Sequence, residues 1–268
     1  MKKDGNDILV TGAYGGMGYQ TVKALSRCGY RVIALDKNVG EREDNVIPIK
    51  ADITDEASVR RAFSEVDALT DSLFAIVHFA GIYMLDSMVE MSETAFRRIF
   101  EVNLFGAATV NRVFMPLLQK GSRIVITTSE LAPLDPLPFT GIYAVSKCAL
   151  DRYAYSLRME LQLLGIDVSV LRAGAVKTGM LGVSTEALDR FCEKTALYSC
   201  NAVRFKNIVE RVESRCVPPE KIAQKTCRIL KRKHPQFAYT VNRNPLLLLL
   251  GILPKGLQFY VIKQILKK

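Results

Sequence analysis

The chain has no tryptophan and only two histidines, His78 and His234, among its 268 residues. That scarcity removes histidine-built zinc sites and histidine-activated nucleophiles from consideration. Its six cysteines (Cys28, Cys148, Cys192, Cys200, Cys216 and Cys227) form no Cys-x-x-Cys pair. No metal is expected, and the thiols read as buried or incidental. No apolar leader precedes the strand-like Ile8-Leu9-Val10, so the protein is expected to be made and kept in the cytosol. An apolar run near the end, Leu246 to Leu253, falls well short of the roughly 20 residues that cross a bilayer. No repeat or low-complexity linker divides the chain, and one domain is expected.

Hydrophobic residues make up 49% of the chain, enough for a sizeable core. The net charge of +10 is unevenly placed: from Arg204 onward, 15 Lys/Arg face 3 Asp/Glu. A basic third of this kind attracts an anionic membrane surface or an acidic carrier protein. No nucleic-acid-binding motif accompanies it, so nucleic acid is not an expected partner. The tail 245–268 mixes apolar residues with Lys255, Lys263, Lys267 and Lys268. It is expected to pack on its own domain or across a subunit boundary, with peripheral contact to an anionic membrane as the alternative.

Strand and helix patterns alternate. Short apolar runs at 8–10, 31–35, 46–49, 73–77, 123–127 and 167–171 read as strands, with Phe237 to Val241 as a last one. Between them, 17–28, 55–66, 96–118 and 142–164 read as helices, the second capped by Thr54 or Asp55. Fully apolar strands separated by helices predict a doubly wound parallel sheet, a Rossmann-type three-layer α/β/α domain. Its ligand crevice lies at the strands' carboxyl ends. The stretch 179–217 is long for a connection, and one or two helices folding over that crevice are predicted there.

Thr11-Gly12-Ala13-Tyr14-Gly15-Gly16-Met17-Gly18 follows a strand and opens a helix. Glycines permit a tight turn and close approach of a pyrophosphate, which the helix N–H groups then face. Asp36 lies 18 residues beyond Gly18, where a carboxylate binds both ribose hydroxyls and repels a 2′-phosphate, favouring NAD over NADP. Lys37 beside it is a cation able to take that phosphate, so NADP stays open. Tyr143 and Lys147 stand at i and i+4 on a predicted helix and so share a face. A neighbouring ammonium favours the phenolate, so a tyrosine that exchanges protons near neutral pH is expected.

On these residues, with Ser129 ending a strand, the chain resembles the short-chain dehydrogenase/reductase family over roughly Asp7 to Thr178. The resemblance implies hydride transfer between a nicotinamide ring and a carbonyl or alcohol. It implies Tyr143 as acid/base, Lys147 as the residue that binds the nicotinamide ribose and lowers the tyrosine's pKa, Ser129 on the substrate oxygen, and Asn103 holding a water in a proton relay. For the dinucleotide it implies Gly12, Tyr14, Gly15, Gly16, Met17, Gly18 and Asp36, with Asp52 and Ile53 at the adenine. Ala80, Gly81, Tyr143, Lys147, Val176 and Thr178 complete that set.

Where members commonly read Asn-Asn-Ala-Gly, this chain has His78-Phe79-Ala80-Gly81, and His78 reads as a hydrogen-bonded core residue. Ala173 stands where members have proline, which loosens that turn. Pro133, Pro136 and Pro138 crowd the loop before Tyr143, which is expected to wall the substrate pocket. Met180, Leu181, Val183, Leu188, Phe191, Leu197, Tyr198 and Phe205 are expected to line it. The outline is closest to the steroid/retinol-type branch, and a secondary alcohol or ketone on a bulky hydrophobic molecule is the expected substrate. Family resemblance suggests a homodimer or homotetramer. Two alternatives stand beside this reading: an NADPH-dependent reductase of carrier-bound 3-oxoacyl chains, and a dinucleotide-sensing protein that does not catalyse.

Overall fold

Apolar residues on both faces of each predicted strand require cover on both sides, and the architecture supplies it. The computed structural model describes residues 6–267, except the side chains of 180–185 and 213. The expectations placed on Met1–Gly5, on Lys268 and on the side chains of Met180, Leu181 and Val183 lie outside the described residues.

The first half comprises β1 (Asp7–Thr11), α1 (Gly16–Arg27), β2 (Arg31–Asp36), β3 (Val46–Lys50), α2 (Glu56–Asp67) and β4 (Leu73–His78). Next come α3 (Glu93–Phe100), a π-helical turn (Glu101–Phe105), α4 (Gly106–Phe114), β5 (Leu118–Ser129), α5 (Gly141–Leu161) and β6 (Asp167–Ala173). The last part holds α6 (Gly179–Lys194), α7 (Ser199–Glu213), α8 (Glu220–Lys231), β7 (Ala238–Val241), α9 (Pro245–Ile252) and α10 (Lys255–Leu266).

The strands form one parallel sheet of seven in the order β3-β2-β1-β4-β5-β6-β7. Chain order reverses between β1 and β4, and that switch point opens the crevice at the carboxyl ends. Alternate residues feed two cores. Leu9, Ile33, Ile76, Ile124 and Val168 pack with residues of α2, α4 and α5. Ile8, Val10, Val32, Val77 and Val125 pack with residues of α1 and α8. Each large aliphatic side chain buried this way contributes about 1.5–3 kcal/mol.

Local chemistry explains where the predicted bounds moved. The helix predicted from 96 starts at Glu93 because Ser92 Oγ accepts the Ala95 N–H at 3.2 Å. The helix predicted to 164 gives way to a 3₁₀ turn after Leu161, and Gly165 stops it in a left-handed conformation at φ 72°. β5 starts at Leu118, five residues early, through its pairing with Leu73 across an irregular register.

The predicted cover of the crevice consists of two helices, α6 and α7. Its neck is closed where Lys177 donates its amide to the Val217 carbonyl (2.8 Å) and Val217 to that of Ala175 (3.1 Å). Within it, Leu188, Phe191, Ala202, Phe205 and Val209 form a satellite core around Phe139. Phe139 packs at a tilt against Phe191 and edge-on against Tyr198 and Phe205, with centroids 4.8, 5.2 and 5.3 Å away. These contacts hold Phe139 at φ 62°, a conformation that costs a bulky side chain on the order of 1–3 kcal/mol. Among the described residues no helix is long and apolar enough to cross a membrane.

His78 is the core residue its sequence context predicts. Asn111 donates its amide to Tyr153 (3.2 Å), so the Asn111 oxygen faces His78 Nε2 (2.8 Å), which carries the proton. Nδ1 then accepts from Thr11 Oγ1 at 3.4 Å, tying β4 to β1. Burial pulls the His78 pKa from 6.5 down to about 4, against the hydrogen bond with Asn111. The unfolded chain takes up this proton first as pH falls, so stability from neutral His78 is complete above 6.5 and is lost towards about 4. Urea unfolding of wild type and His78→Gln through that window should show the wild-type advantage shrinking by roughly 3 kcal/mol. Parallel pH profiles for the two proteins would contradict this.

Candidate active site

Thr11 ends β1 and the chain turns at once into α1. Gly12 sits at φ 66°, and a side chain there would place its Cβ 2.5 Å from the Ala80 backbone nitrogen. A Cβ at Gly18 would come within 2.0 Å of the Gly12 carbonyl, and one at Gly16 within 2.6 Å of Thr178. The turn is therefore packed to the limit on its inner side. The first turn of α1 carries no acidic residue, so its N–H groups face the crevice unopposed by negative charge. These features fit a dinucleotide pyrophosphate.

The crevice is a cleft of about 700 Å³. Gly12, Tyr14, Gly15, Gly16, Met17, Gly18, Asp36, Asp52, Ile53, Ala80, Gly81 and Thr178 all line it, as the sequence predicts. Tyr143, Lys147 and Val176 line the adjoining cavity of about 210 Å³, which shares Met17, Phe79, Gly81, Tyr83 and Thr178 with the cleft. Asp36 accepts the Tyr14 N–H (3.0 Å) and the Asn38 N–H (3.3 Å), so the turn and the end of β2 orient its carboxylate. Asp52 is bound by Thr54 and lies 3.0 Å from Lys37 Nζ. Partial burial opposes its ionisation, but those hydrogen bonds and Lys37 hold the pKa down to about 2. Lys37 is thus already paired.

Ser129 ends β5 and Tyr143 lies in the first turn of α5, and both side chains line the same cavity. Tyr83 packs edge-on against Tyr143 with ring centroids 4.6 Å apart. Lys147 is buried, donates to the Thr127 carbonyl (3.2 Å), and stands 5.9 Å from the Tyr143 ring centroid. The i,i+4 geometry is as predicted, but the expected easy ionisation is not what the protein's own groups produce. Burial drives Tyr143 up to about 12, outweighing the Ser129 hydrogen bond, and pulls Lys147 down to about 8. Desolvation disfavours the charged form of each.

Asn103 lies in the π-helical turn, an irregularity that recurs at functional sites. It is 1% exposed, and its Oδ1 accepts the Ile82 N–H (2.8 Å). Its Nδ2 donates to the Ile82 carbonyl and to Ser146 Oγ, both at 3.0 Å. Its amide therefore clamps the chain after β4 to α5, behind Tyr143 and Lys147.

The cavity walls differ in part from expectation. Leu131, Leu137 and Thr140 of the proline-rich loop line it as predicted, and so does Phe205. Leu188, Phe191 and Tyr198 instead belong to the satellite core, and Leu197 is exposed. Ile208, Val209, Val212 and Leu247 take the remaining apolar wall. The turn at Ala173 is not loose: Glu130 donates its amide to the Ala173 carbonyl (3.0 Å) and Gly174 to that of Val241 (2.9 Å). Glu130, unmarked in the sequence, lines the cavity and accepts the Asn244 N–H (2.6 Å), fastening the start of α9 to the site. Burial raises its pKa against that bond. Thr127 Oγ1, buried at the cavity, lacks a protein partner. Among the described residues no cluster of side chains fits a metal ion.

The family model of the short chain dehydrogenases matches residues 6–189. A 3-ketodihydrosphingosine reductase of Bacteroides thetaiotaomicron is 25% identical over 236 residues, 88% of this chain and 87% of that protein. Estradiol 17-beta-dehydrogenase 2 of Mus musculus is 31% identical over 209 residues, 70% of this chain and 54% of that one, so the chain spans about half its length. A solved short chain dehydrogenase from Burkholderia cenocepacia, in complex with NADP, shares the fold at a TM-score of 0.74. Its identity is 22%, covering 97% of this chain and 99% of that one. The chain belongs to the short-chain dehydrogenase family, and with it to the nicotinamide-dinucleotide-dependent oxidoreductases.

Asn103→Ala would leave the half-buried Ile82 amide and carbonyl without this partner, at about 1–3 kcal/mol. Differential scanning calorimetry should show a melting temperature lower by roughly 2–6 °C. An unchanged melting temperature would mean that the clamp does not contribute.

Proposed function

We propose that the chain interconverts a ketone and a secondary alcohol on a bulky hydrophobic molecule, using NAD(H), with Tyr143 as the acid/base. What carries this reading is one cavity lined by Ser129, Tyr143 and Lys147 together with the apolar Phe205, Ile208, Val209 and Leu247. That cavity joins the glycine-lined cleft through shared residues. The names of the two relatives, which refer to ketodihydrosphingosine and estradiol, support a lipid- or steroid-like substrate over a short polar one.

The nicotinamide dinucleotide, when bound, supplies or accepts the hydride and, when oxidised, brings a positive charge into the cleft. Gly12, Gly16 and Gly18 would receive its pyrophosphate, Asp36 its adenosine ribose, Asp52 and Ile53 its adenine, and Lys147 with Val176 and Thr178 its nicotinamide half. Tyr143, protonated at neutral pH, gives its proton to the carbonyl oxygen in reduction. In oxidation the phenolate takes the hydroxyl proton back. Lys147, charged below about 8, stabilises that phenolate. Ser129 holds the substrate oxygen, with a hydrogen bond that strengthens as negative charge develops there. Asn103 keeps Ile82 and α5 in register behind this pair.

Asp36 at the ribose end and the pairing of Lys37 with Asp52 support NAD over NADP. Arg98, which also lines the cleft, keeps NADP as the alternative. Phe96, Phe105, Tyr155 and Met159 are exposed on α3, the π-helical turn and α5, which supports assembly of copies through these elements as a dimer or tetramer.

Tyr143→Phe should lower turnover of a hydrophobic ketone by about 10²–10⁴-fold in an NADH absorbance assay. Calorimetric NADH affinity should stay within a few-fold, and undiminished turnover would remove Tyr143 from the mechanism. Asp36→Ser should shift the ratio of kcat/KM for NADPH over NADH upward by about tenfold or more, because a repulsion of about 1.4 kcal/mol is relieved. A ratio that does not move would mean that Asp36 does not select the cofactor.

A further inference from the structure

A helix apolar on every side belongs in a core or against lipid. α9, Pro245–Ile252, is such a helix, yet none of its residues is buried. Leu246, Leu249 and Ile252 face outward, Ile252 at 79% exposure. α10 exposes Leu257, Phe259, Tyr260 and Ile265 as well, and Phe259 is 69% exposed.

The pair is anchored to the domain. Asn244 caps α9 through the Leu246 N–H (3.0 Å) and is itself held by Glu130. Lys255 pairs with Asp135, Gln258 Nε2 is buried on the Leu253 carbonyl (2.8 Å), and Asn201 of α7 donates to the Leu266 carbonyl (2.6 Å). Glu130, Asp135 of the 131–140 loop and Asn201 of α7 thus hold the pair on elements that also wall the cavity, and Leu247 of α9 lines it. The exposed apolar face therefore borders the cavity's apolar wall.

Charge decides what covers this face. From Lys221 to Lys268 there are eleven Lys/Arg and no Asp or Glu. Lys263 and Lys267 stand among the exposed apolar residues of α10 and beyond its end. Two copies pressed face to face would bring like charges together, whereas an anionic bilayer satisfies both the apolar side chains and the cations.

We propose that α9 and α10 seat this protein on an anionic phospholipid surface, with Leu249, Ile252, Phe259 and Tyr260 in the headgroup–acyl boundary. The cavity then lies against the lipid phase from which a hydrophobic substrate is drawn. The docking stands apart from the catalytic reading; the drawing of substrate from lipid rests on it.

Co-sedimentation of the full chain with phosphatidylcholine vesicles, with and without phosphatidylserine, tests this. Binding should be roughly tenfold or more stronger on the anionic vesicles and should weaken in high salt. The double variant Ile252→Glu/Phe259→Glu should lose that binding while keeping its melting temperature and its turnover of a short water-soluble ketone. Tyr143→Phe should bind vesicles like wild type, which separates failure of docking from failure of the catalytic reading. Binding that ignores phosphatidylserine, or that survives the double variant, overturns the proposal. So does light scattering in which the double variant turns a dimer into a monomer without any vesicle binding by wild type, since the face is then a contact between copies.

Discussion

A lysine stripped of water organises this site. Lys147 is 6% exposed, its one protein hydrogen bond goes to the Thr127 carbonyl, and burial pulls its pKa down to about 8. Holding an ammonium there is costly in an interior, and unrelieved cost of that kind marks sites built for a further partner. Tyr143, one helical turn away, is pushed in the opposite sense, to about 12. The two groups share one low-dielectric recess, and each remains sensitive to any charge brought into it.

The fold makes that recess. The sheet's order reverses between β1 and β4, so the glycine turn after β1 and the Ala80-Gly81 segment after β4 flank a single crevice. Backbone contact between them is so close that Gly12 has no room for a Cβ. Across the crevice, the Asn103 clamp fixes α5 relative to the chain after β4, and so fixes Tyr143 and Lys147 relative to the cleft. Glu130 extends the same logic to the C-terminal helices by tying Asn244 to the end of β5. The glycine-lined cleft, Tyr143 with Lys147, and the apolar wall thus form a chain of contacts.

Local features were legible in the sequence and tertiary ones were not. The strands declare themselves because both faces are buried, and the glycine turn because its geometry admits few other residues. Asp36, Ser129, Tyr143 and Lys147 follow from their places at strand ends and on one helix face. The Lys37–Asp52 pair and the Glu130–Asn244 bond join residues 15 and 114 positions apart, with no local signature. The length of 179–217 predicted helices there but could not separate Phe205, which lines the cavity as well as packing on Phe139, from Leu188 and Phe191, which pack around Phe139. Spacing likewise placed Lys147 beside Tyr143, while the burial that raises the tyrosine's pKa depends on the whole fold.

The most direct measurement is a crystal structure of the full chain grown with NADH. The adenosine ribose should lie at Asp36, the pyrophosphate over Gly12 to Gly18, and the nicotinamide ring in the recess beside Tyr143, with Lys147 Nζ on its ribose. Dinucleotide density with the nicotinamide ring turned away from Tyr143, or a cleft that stays empty at saturating NADH, would contradict the assignment of this recess as the reacting centre.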